Sequence, residues 1–321
     1  MLTSEWPDKE NPHSAPFIKR QVEYLRYHNI DIDLYHFKGL GNPFNYIRSW
    51  VEVRRKLNLE KYDIVHAQWG QSAILAIGSS LPLVITYRGS DVNGIYNAKG
   101  LIRIKSFFLK IVSKRLSLKA SGVITVSKSL KNLLPKGLNV NIIPSGIDLK
   151  IFRPESKESA RKKLGLSLTS KYVLFPSNIK MSAKRYHLAK EVINIVRDHI
   201  KVSLITLHKQ NPENVALFMN ACDVMLLTSA NEGSPNVIKE AMACNMPIVS
   251  TAVGDVQERI GRIPGCFVCS NDSPHFIAKH LVKALENPNR VNSRKDIMHL
   301  DENIVTKNVI SVYECVLSKK L

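Results

Sequence analysis

Short apolar runs separated by amphipathic helical stretches recur along this chain, and they constrain its fold more than any other feature. Leu83-Val84-Ile85-Thr86-Tyr87, Gly122-Val123-Ile124-Thr125-Val126 and Val224-Met225-Leu226-Leu227 show no polar–apolar alternation. A strand with one wet face alternates; a run that does not is buried on both faces, as in a parallel sheet. The intervening stretches have the other period. Residues 16–27 place Phe17, Ile18, Val22 and Leu25 on one side of a helix, and 44–57 read as a second helix. Residues 30–34, 62–66 and 140–143 complete a first strand series. Strands alternating with helices imply βαβ units, with helices on both faces of the sheet.

Pro144-Ser145-Gly146-Ile147-Asp148 interrupts the series, and a second begins at Lys171-Tyr172-Val173-Leu174-Phe175. It continues through 202–205, 224–227, 247–250 and 266–268. A chain of 321 residues suits two cores of about 150 residues each. The expected division is 1–148 and 149–305, with 306–321 a terminal helix returning to the first domain. Two doubly wound domains would bind ligands at the carboxyl ends of their strands, in a cleft between them.

Composition narrows the partners. The formal charge is +19, and no acidic residue occurs between Asp91 and Asp148. Such a field favours phosphate-bearing ligands or anionic surfaces. No run approaches the roughly 18–20 apolar residues that span a bilayer. The start, Met1-Leu2-Thr3-Ser4-Glu5-Trp6, lacks a secretory pattern, and five cysteines suggest a reducing compartment. Cys266-Phe267-Val268-Cys269 is a lone CxxC in a strand-like segment and reads as structural. The expected location is therefore cytoplasmic.

The most chemical text is Asn231-Glu232-Gly233-Ser234-Pro235-Asn236-Val237-Ile238-Lys239-Glu240. An apolar strand precedes it and a helical pattern follows, with Pro235 placed in the first helical turn. The free N–H groups of a helix start form an anion site, and two flanking carboxylates can accept from hydroxyls. That combination suits an anionic, polyhydroxylated ligand.

With Glu240-Ala241-Met242-Ala243-Cys244, Pro247-Ile248-Val249-Ser250-Thr251 and Gly254, this text resembles the donor-site signature of family 4 glycosyltransferases. Further matches run in the family's order: Thr3-Ser4-Glu5-Trp6-Pro7, Phe17-Ile18-Lys19-Arg20-Gln21, Asp63-Ile64-Val65-His66-Ala67, Gly89-Ser90-Asp91 and Ile143-Pro144-Ser145-Gly146-Ile147-Asp148. The resemblance implies the GT-B fold, two Rossmann-like domains facing a central cleft, and retaining transfer from a nucleotide-diphosphate sugar. It implies that Glu240 holds ribose hydroxyls and that Glu232 lies beside the transferred sugar. The amides of the stretch Gly233-Ser234-Pro235-Asn236 would hold sugar hydroxyls and pyrophosphate. Lys184 looks like the lysine of the family's basic pair, and Lys180 is the stand-in for its arginine. These cations would neutralise the leaving diphosphate, so no cofactor and no metal are expected.

Two departures stand out. Arg88 occupies the place of the family's histidine before Gly89-Ser90-Asp91, and an arginine can grip a phosphate or hydroxyl but cannot serve as a base. His13-Ser14-Ala15-Pro16 replaces a glycine-rich loop. Arg88 and Asp91 are the expected acceptor-side residues, at the end of a strand. His66 reads as a packed strand-end histidine, and Trp69 as either a sugar platform or core.

The expected partners are a nucleotide sugar and a glycan or lipid-linked acceptor. Leu101-Ile102-Arg103-Ile104-Lys105-Ser106-Phe107-Phe108-Leu109-Lys110, continuing to Lys114 and Arg115, has two readings: an apolar face packed on the first domain's sheet, which is the favoured one, or peripheral contact with an anionic membrane at its inner face through the basic rim. The same run lacks the aromatic interleaving of a nucleic-acid platform, so no nucleic-acid partner is expected. Rival readings are a sugar- or nucleotide-binding pseudoenzyme and a nucleotide-sugar epimerase or hydrolase.

Overall fold

The computed structural model describes residues 1–8, 14–39, 42–94 and 104–319. His13 and the segment Leu101-Ile102-Arg103 lie outside them. In chain order the first half runs β1 (Leu2–Thr3), α1 (Pro16–Tyr27), β2 (Tyr35–His36), α2 (Pro43–Leu59), β3 (Val65–Gln68), β4 (Leu83–Tyr87), α3 (Ser90–Asn93), α4 (Ile104–Ser117), β5 (Gly122–Thr125), α5 (Lys128–Lys131) and β6 (Val140–Ile142). The second half runs α6 (Lys157–Leu164), β7 (Lys171–Phe175), α7 (Tyr186–Arg197), β8 (Val202–Thr206), α8 (Pro212–Ala221), β9 (Val224–Leu227), α9 (Asn236–Ala243), β10 (Ile248–Thr251), α10 (Val256–Ile260), β11 (Phe267–Cys269), α11 (Pro274–Glu286) and α12 (Glu302–Ser318).

The chain forms two units. One joins 1–95 and 102–146 with Glu302–Leu321; the other contains Ile147–Asp301. The first holds a six-stranded sheet in the order β2-β1-β3-β4-β5-β6, and the second a five-stranded sheet in the order β11-β10-β9-β7-β8. Every strand pairing is parallel.

Burial on both faces explains the apolar runs. In the first unit Val84 and Ile124 pack with Ile18, Val22 and Leu25 of α1 and Val309 and Val312 of α12. Ile85 and Tyr87 point the other way, with Ala73 and Leu116. In the second unit Leu174, Met225 and Leu227 face Ile238 and Met242 of α9, while Val173, Val224 and Leu226 face α7 and α11.

Two expected strands shift. Residues 30–34 alternate but are not a strand; pairing begins at Tyr35, where Leu2 aligns with it. β1 is only two residues long, and 30–34 meet its lead-in through the Met1 amino group, which donates to Asp33 O at 2.5 Å, short of a strand pairing. Tyr35 N–H donates to Met1 O at 2.8 Å and Phe37 N–H to Thr3 O at 3.1 Å, the bonds of the β1–β2 pairing. The strand expected at 62–66 is instead Val65–Gln68, in register with Leu83–Tyr87.

A buried ion pair ties the ends of the first unit together. Arg20 Nε donates to Glu302 Oε2 at 2.6 Å, and Arg20 Nη2 to Gly146 O at 2.8 Å. Only glycine fits at 146, because a Cβ there would lie 2.8 Å from the Glu302 Cα. All five cysteines are free, and burial pushes the Cys266 and Cys269 thiols up to about 11. No helix among the described residues is long and apolar enough to cross a membrane.

Candidate active site

In the second unit the strand order reverses between β7 and β9, and ligands of open parallel sheets bind at the carboxyl ends beside such a reversal. The loops leaving these two strands are laced together. Ala230 N–H donates to Ala183 O at 2.8 Å, and Thr228 Oγ1 to Lys184 O at 2.9 Å. Arg185, in the left-handed region at φ 50°, closes the short 3-10 turn Ser182–Lys184. Its guanidinium donates to Thr228 O at 2.6 Å, Ser229 O at 2.9 Å and Asp272 Oδ2 at 2.5 Å. An uncommon backbone conformation is thus held from three directions.

The lacing aims Lys184 across the reversal. Its Nζ forms an ion pair with Glu232 Oε1, which also accepts from Ser229 Oγ at 2.8 Å. Both side chains of the pair are mostly buried, so the pair is less screened than a surface one. Lys180 is exposed; its backbone N–H closes on Asn178 Oδ1 at 2.9 Å, and its side chain does not join the pair.

Gly254 sets the shape of the loop after Glu232. It has φ 55°, and a Cβ there would sit 2.7 Å from the Gly233 carbonyl oxygen. Ser234 Oγ donates to Asp255 Oδ2 at 2.8 Å, which also accepts from Arg259 Nε at 2.8 Å. Pro235 precedes the helix as its cap, one position earlier than expected, and Asn236 opens α9. Glu240 stands on the same helix, partly exposed, beside the fully buried Lys239. Sequence reading missed Asp255, Arg259 and Arg185. The Asp–Arg spacing of four residues behind a glycine was the available signal for the first two.

In the first unit Arg88 follows β4 at the carboxyl end of the sheet. Its Nη2 and Nε donate to Gln68 Oε1 at 2.7 and 3.0 Å, its Nη1 to Ser145 Oγ at 2.7 Å, and Nη2 again to Gln21 Oε1 at 3.2 Å. The guanidinium lies 4.7 Å above the Phe17 ring. Burial draws it down to about 10, so it remains charged at neutral pH. Glu5 lies in its field, and burial raises that carboxyl above the usual range.

Asp91 does not pair with the Arg88 side chain. It is buried, accepts from the amides of Gly89 at 2.9 Å, Gly70 at 3.0 Å and Arg88 at 3.3 Å, and thereby holds the loop after β4. Burial raises its carboxyl, while those amide bonds act in the opposite direction. Trp69 is buried edge-on to Phe17 at 6.3 Å, which places it in the core.

His66 is also buried, with Nδ1 2.6 Å from Tyr313 Oη and Nε2 2.8 Å from Thr86 Oγ1. Burial lowers it from 6.5 to about 3. A histidine kept neutral when folded but protonated when unfolded costs stability as pH falls below its unfolded value. The first unit should therefore lose up to about 1.4 kcal/mol per pH unit between about pH 6.5 and 3 through this residue. Urea unfolding of the wild type and His66→Asn at about pH 7 and about pH 5 checks it; an unchanged pH slope in the variant would contradict it.

Two family models match the chain: Glycosyltransferase Family 4 over residues 34–151 and Glycosyl transferases group 1 over 171–287. Among relatives, a Bacillus subtilis glycosyltransferase named for teichuronic acid biosynthesis, TuaC, is 30% identical, covering 62% of this chain and 56% of its own length. A Campylobacter jejuni N,N'-diacetylbacillosaminyl-diphospho-undecaprenol alpha-1,3-N-acetylgalactosaminyltransferase is 25% identical over 96% of this chain and 93% of that protein. Among solved structures, sucrose-phosphate synthase from Thermosynechococcus elongatus aligns with TM-score 0.74 at 15% identity, covering 95% and 93% of the two chains. Anabaena Alr3699/HepE in complex with UDP and glucose aligns with TM-score 0.63 at 16% identity, covering 93% and 88%. With two parallel-sheet α/β units and both family models matched, the chain belongs to the family 4 glycosyltransferases and is a glycosyltransferase of the GT-B type.

Proposed function

We propose that this enzyme transfers a hexose, with retention and without a metal, from a UDP- or GDP-sugar to a glycan, lipid-linked or small-molecule acceptor. The observation that carries the reading is the Lys184–Glu232–Ser229 cluster at the β7–β9 reversal, with Glu240 on the helix that follows. In the absence of donor, Lys184 and Glu232 satisfy each other. An arriving diphosphate competes for the ammonium, and Glu232 is released to accept from a sugar hydroxyl. Lys184 then opposes the charge that grows on the leaving diphosphate. Glu240 accepts from the two ribose hydroxyls.

Arg88, fixed by Gln68, Gln21 and Ser145, presents a cation at the acceptor end of the first unit. The Campylobacter relative's diphosphate-lipid substrate makes a lipid-linked acceptor the favoured class here, on the cytoplasmic face of the membrane.

Incubation with UDP- and GDP-hexoses in the presence of a chelator, with the product's anomeric configuration read by NMR, tests the proposal. Retained configuration without added metal is expected; inversion, or loss of turnover to the chelator, would contradict it. Glu240→Ala should weaken nucleotide binding roughly tenfold or more, since a hydrogen bond to a charged group is worth about 1.5–3 kcal/mol. Thermal shifts with UDP and GDP check this, and an undiminished shift would remove Glu240 from the ribose site.

A further inference from the structure

We infer that α2 and α4 together form a docking surface for an anionic bilayer, set at the acceptor end of the first unit's sheet. This deepens the proposed lipid-linked acceptor by naming the surface that would bring enzyme and lipid together. The topology places the two helices on one face of the sheet, flanking the 3-10 segment Gly70–Ala76. Each crosses to the next strand in the same direction, so both lie on one face of the sheet. Both pack against the 3-10 segment Gly70–Ala76 that lies on that face. Trp50 Nε1 of α2 donates to Ile77 O at 2.9 Å, just beyond that segment.

Their N-terminal turns share one end of the sheet. α2 starts beside the carboxyl end of β2, where Tyr46 stacks edge-on to Phe37 at 5.3 Å and Asn45 Nδ2 donates to Lys38 O at 2.8 Å. α4 packs on α3, which follows the carboxyl end of β4 and the Arg88 loop.

Those turns present side chains that the core does not use. The inner sides are occupied by Val53 in α2 and by Ser113, Leu116 and Ser117 in α4. On the outer sides Phe44 is 75% exposed, Ile47 60%, Phe107 52% and Phe108 65%. Val51 and Val112 continue the two stripes by one turn, and the exposed Arg55 and Arg115 follow. Aromatic and aliphatic anchors with basic residues behind them match the polar–apolar boundary of a membrane.

Charge selects an anionic occupant over a neutral or basic protein, and the exposed Phe and Ile anchors ahead of the arginines favour a bilayer over an acidic protein. α4 contains no acidic residue and lies within the acid-free stretch from Asp91 to Asp148. The acid of α2 that borders its stripe, Glu52, is neutralised by Arg48 Nε at 2.9 Å and accepts from Tyr35 Oη at 2.5 Å. Each basic side chain near an anionic surface adds attraction that falls off within a Debye length.

The test is co-sedimentation of the full chain with equimolar phosphatidylglycerol–phosphatidylcholine vesicles, compared with phosphatidylcholine alone. Binding should be strong only to the anionic vesicles and fall as salt is raised. Phe107→Ser with Phe108→Ser should reduce partitioning roughly tenfold or more, because two ring contacts with the acyl boundary are lost. The UDP- or GDP-induced thermal shift of the double variant should match the wild type, confirming that it is folded. Failure to bind anionic vesicles, equal binding to both vesicle types, or full binding by the double variant would overturn the inference. So would a concentration-dependent dimer that the same variant abolishes, which would give the face to a second copy. Vesicle binding without any nucleotide response would leave the docking surface standing and remove the transferase donor site instead.

Discussion

Replacing Lys184 with alanine is expected to lower kcat by about two to three orders of magnitude, the usual cost of removing one preorganised group that meets developing charge. Lys184 is aimed at the β7–β9 reversal by a bond to its own backbone oxygen and by those of the adjacent Arg185. Lys180 is exposed, and its side chain does not join the Lys184–Glu232 pair. Stability should change far less than turnover, because Glu232 keeps its bond from Ser229 Oγ. Lys184→Arg retains the charge and should recover part of the rate. Steady-state kinetics with the competent donor decide the matter; an alanine variant within a few-fold of wild type would show that the diphosphate is neutralised elsewhere.

The second large effect concerns folding. Arg20→Ala should destabilise the first unit by about 3–5 kcal/mol, since it strips the guanidinium from a carboxylate that is almost wholly buried. Arg20 also bonds Gly146 O, so the substitution loosens α1 from both the end of the first segment and the start of α12. Converting Glu302 to glutamine in the Arg20→Ala background should restore part of the loss, because an unpaired amide is cheaper to bury than an unpaired charge. Urea-unfolding midpoints measure both variants. A loss below about 1 kcal/mol for Arg20→Ala would mean that the pair's desolvation cancels its attraction.

These two residues show what sequence could and could not reveal. Lys184 and Glu232 stand out in the sequence because each lies in a loop after a strand that announces itself by burial on both faces, and Glu240 because it sits on the helix that follows the second of them. Their contact was not: Lys184 and Glu232 are 48 positions apart, and only the sheet order brings them together. Arg20 and Glu302 are separated by 282 positions, and nothing local in either helix signals the pair. The same reason hid the partners of Arg88, which come from α1, β3 and the loop before residue 146.

Residues 30–34 alternate well but form no strand, since pairing depends on which residues β1 faces: it aligns Leu2 with Tyr35 and Thr3 with His36. Asp91 was expected at the acceptor, and a carboxylate at a strand end is a fair signal of chemistry. Here three backbone amides claim it, a demand that no side-chain pattern records.

The central claim is a nucleotide site at the β7–β9 reversal, built from Lys184, Glu232 and Glu240. Isothermal titration of UDP and GDP into the wild type, Lys184→Ala, Glu240→Ala and Arg88→Ala tests it most directly. One saturable site for at least one nucleotide is expected, weakened roughly tenfold to a hundredfold in the first two variants and unchanged in Arg88→Ala. Absence of binding in the wild type, or equal affinity in all four proteins, would contradict the account.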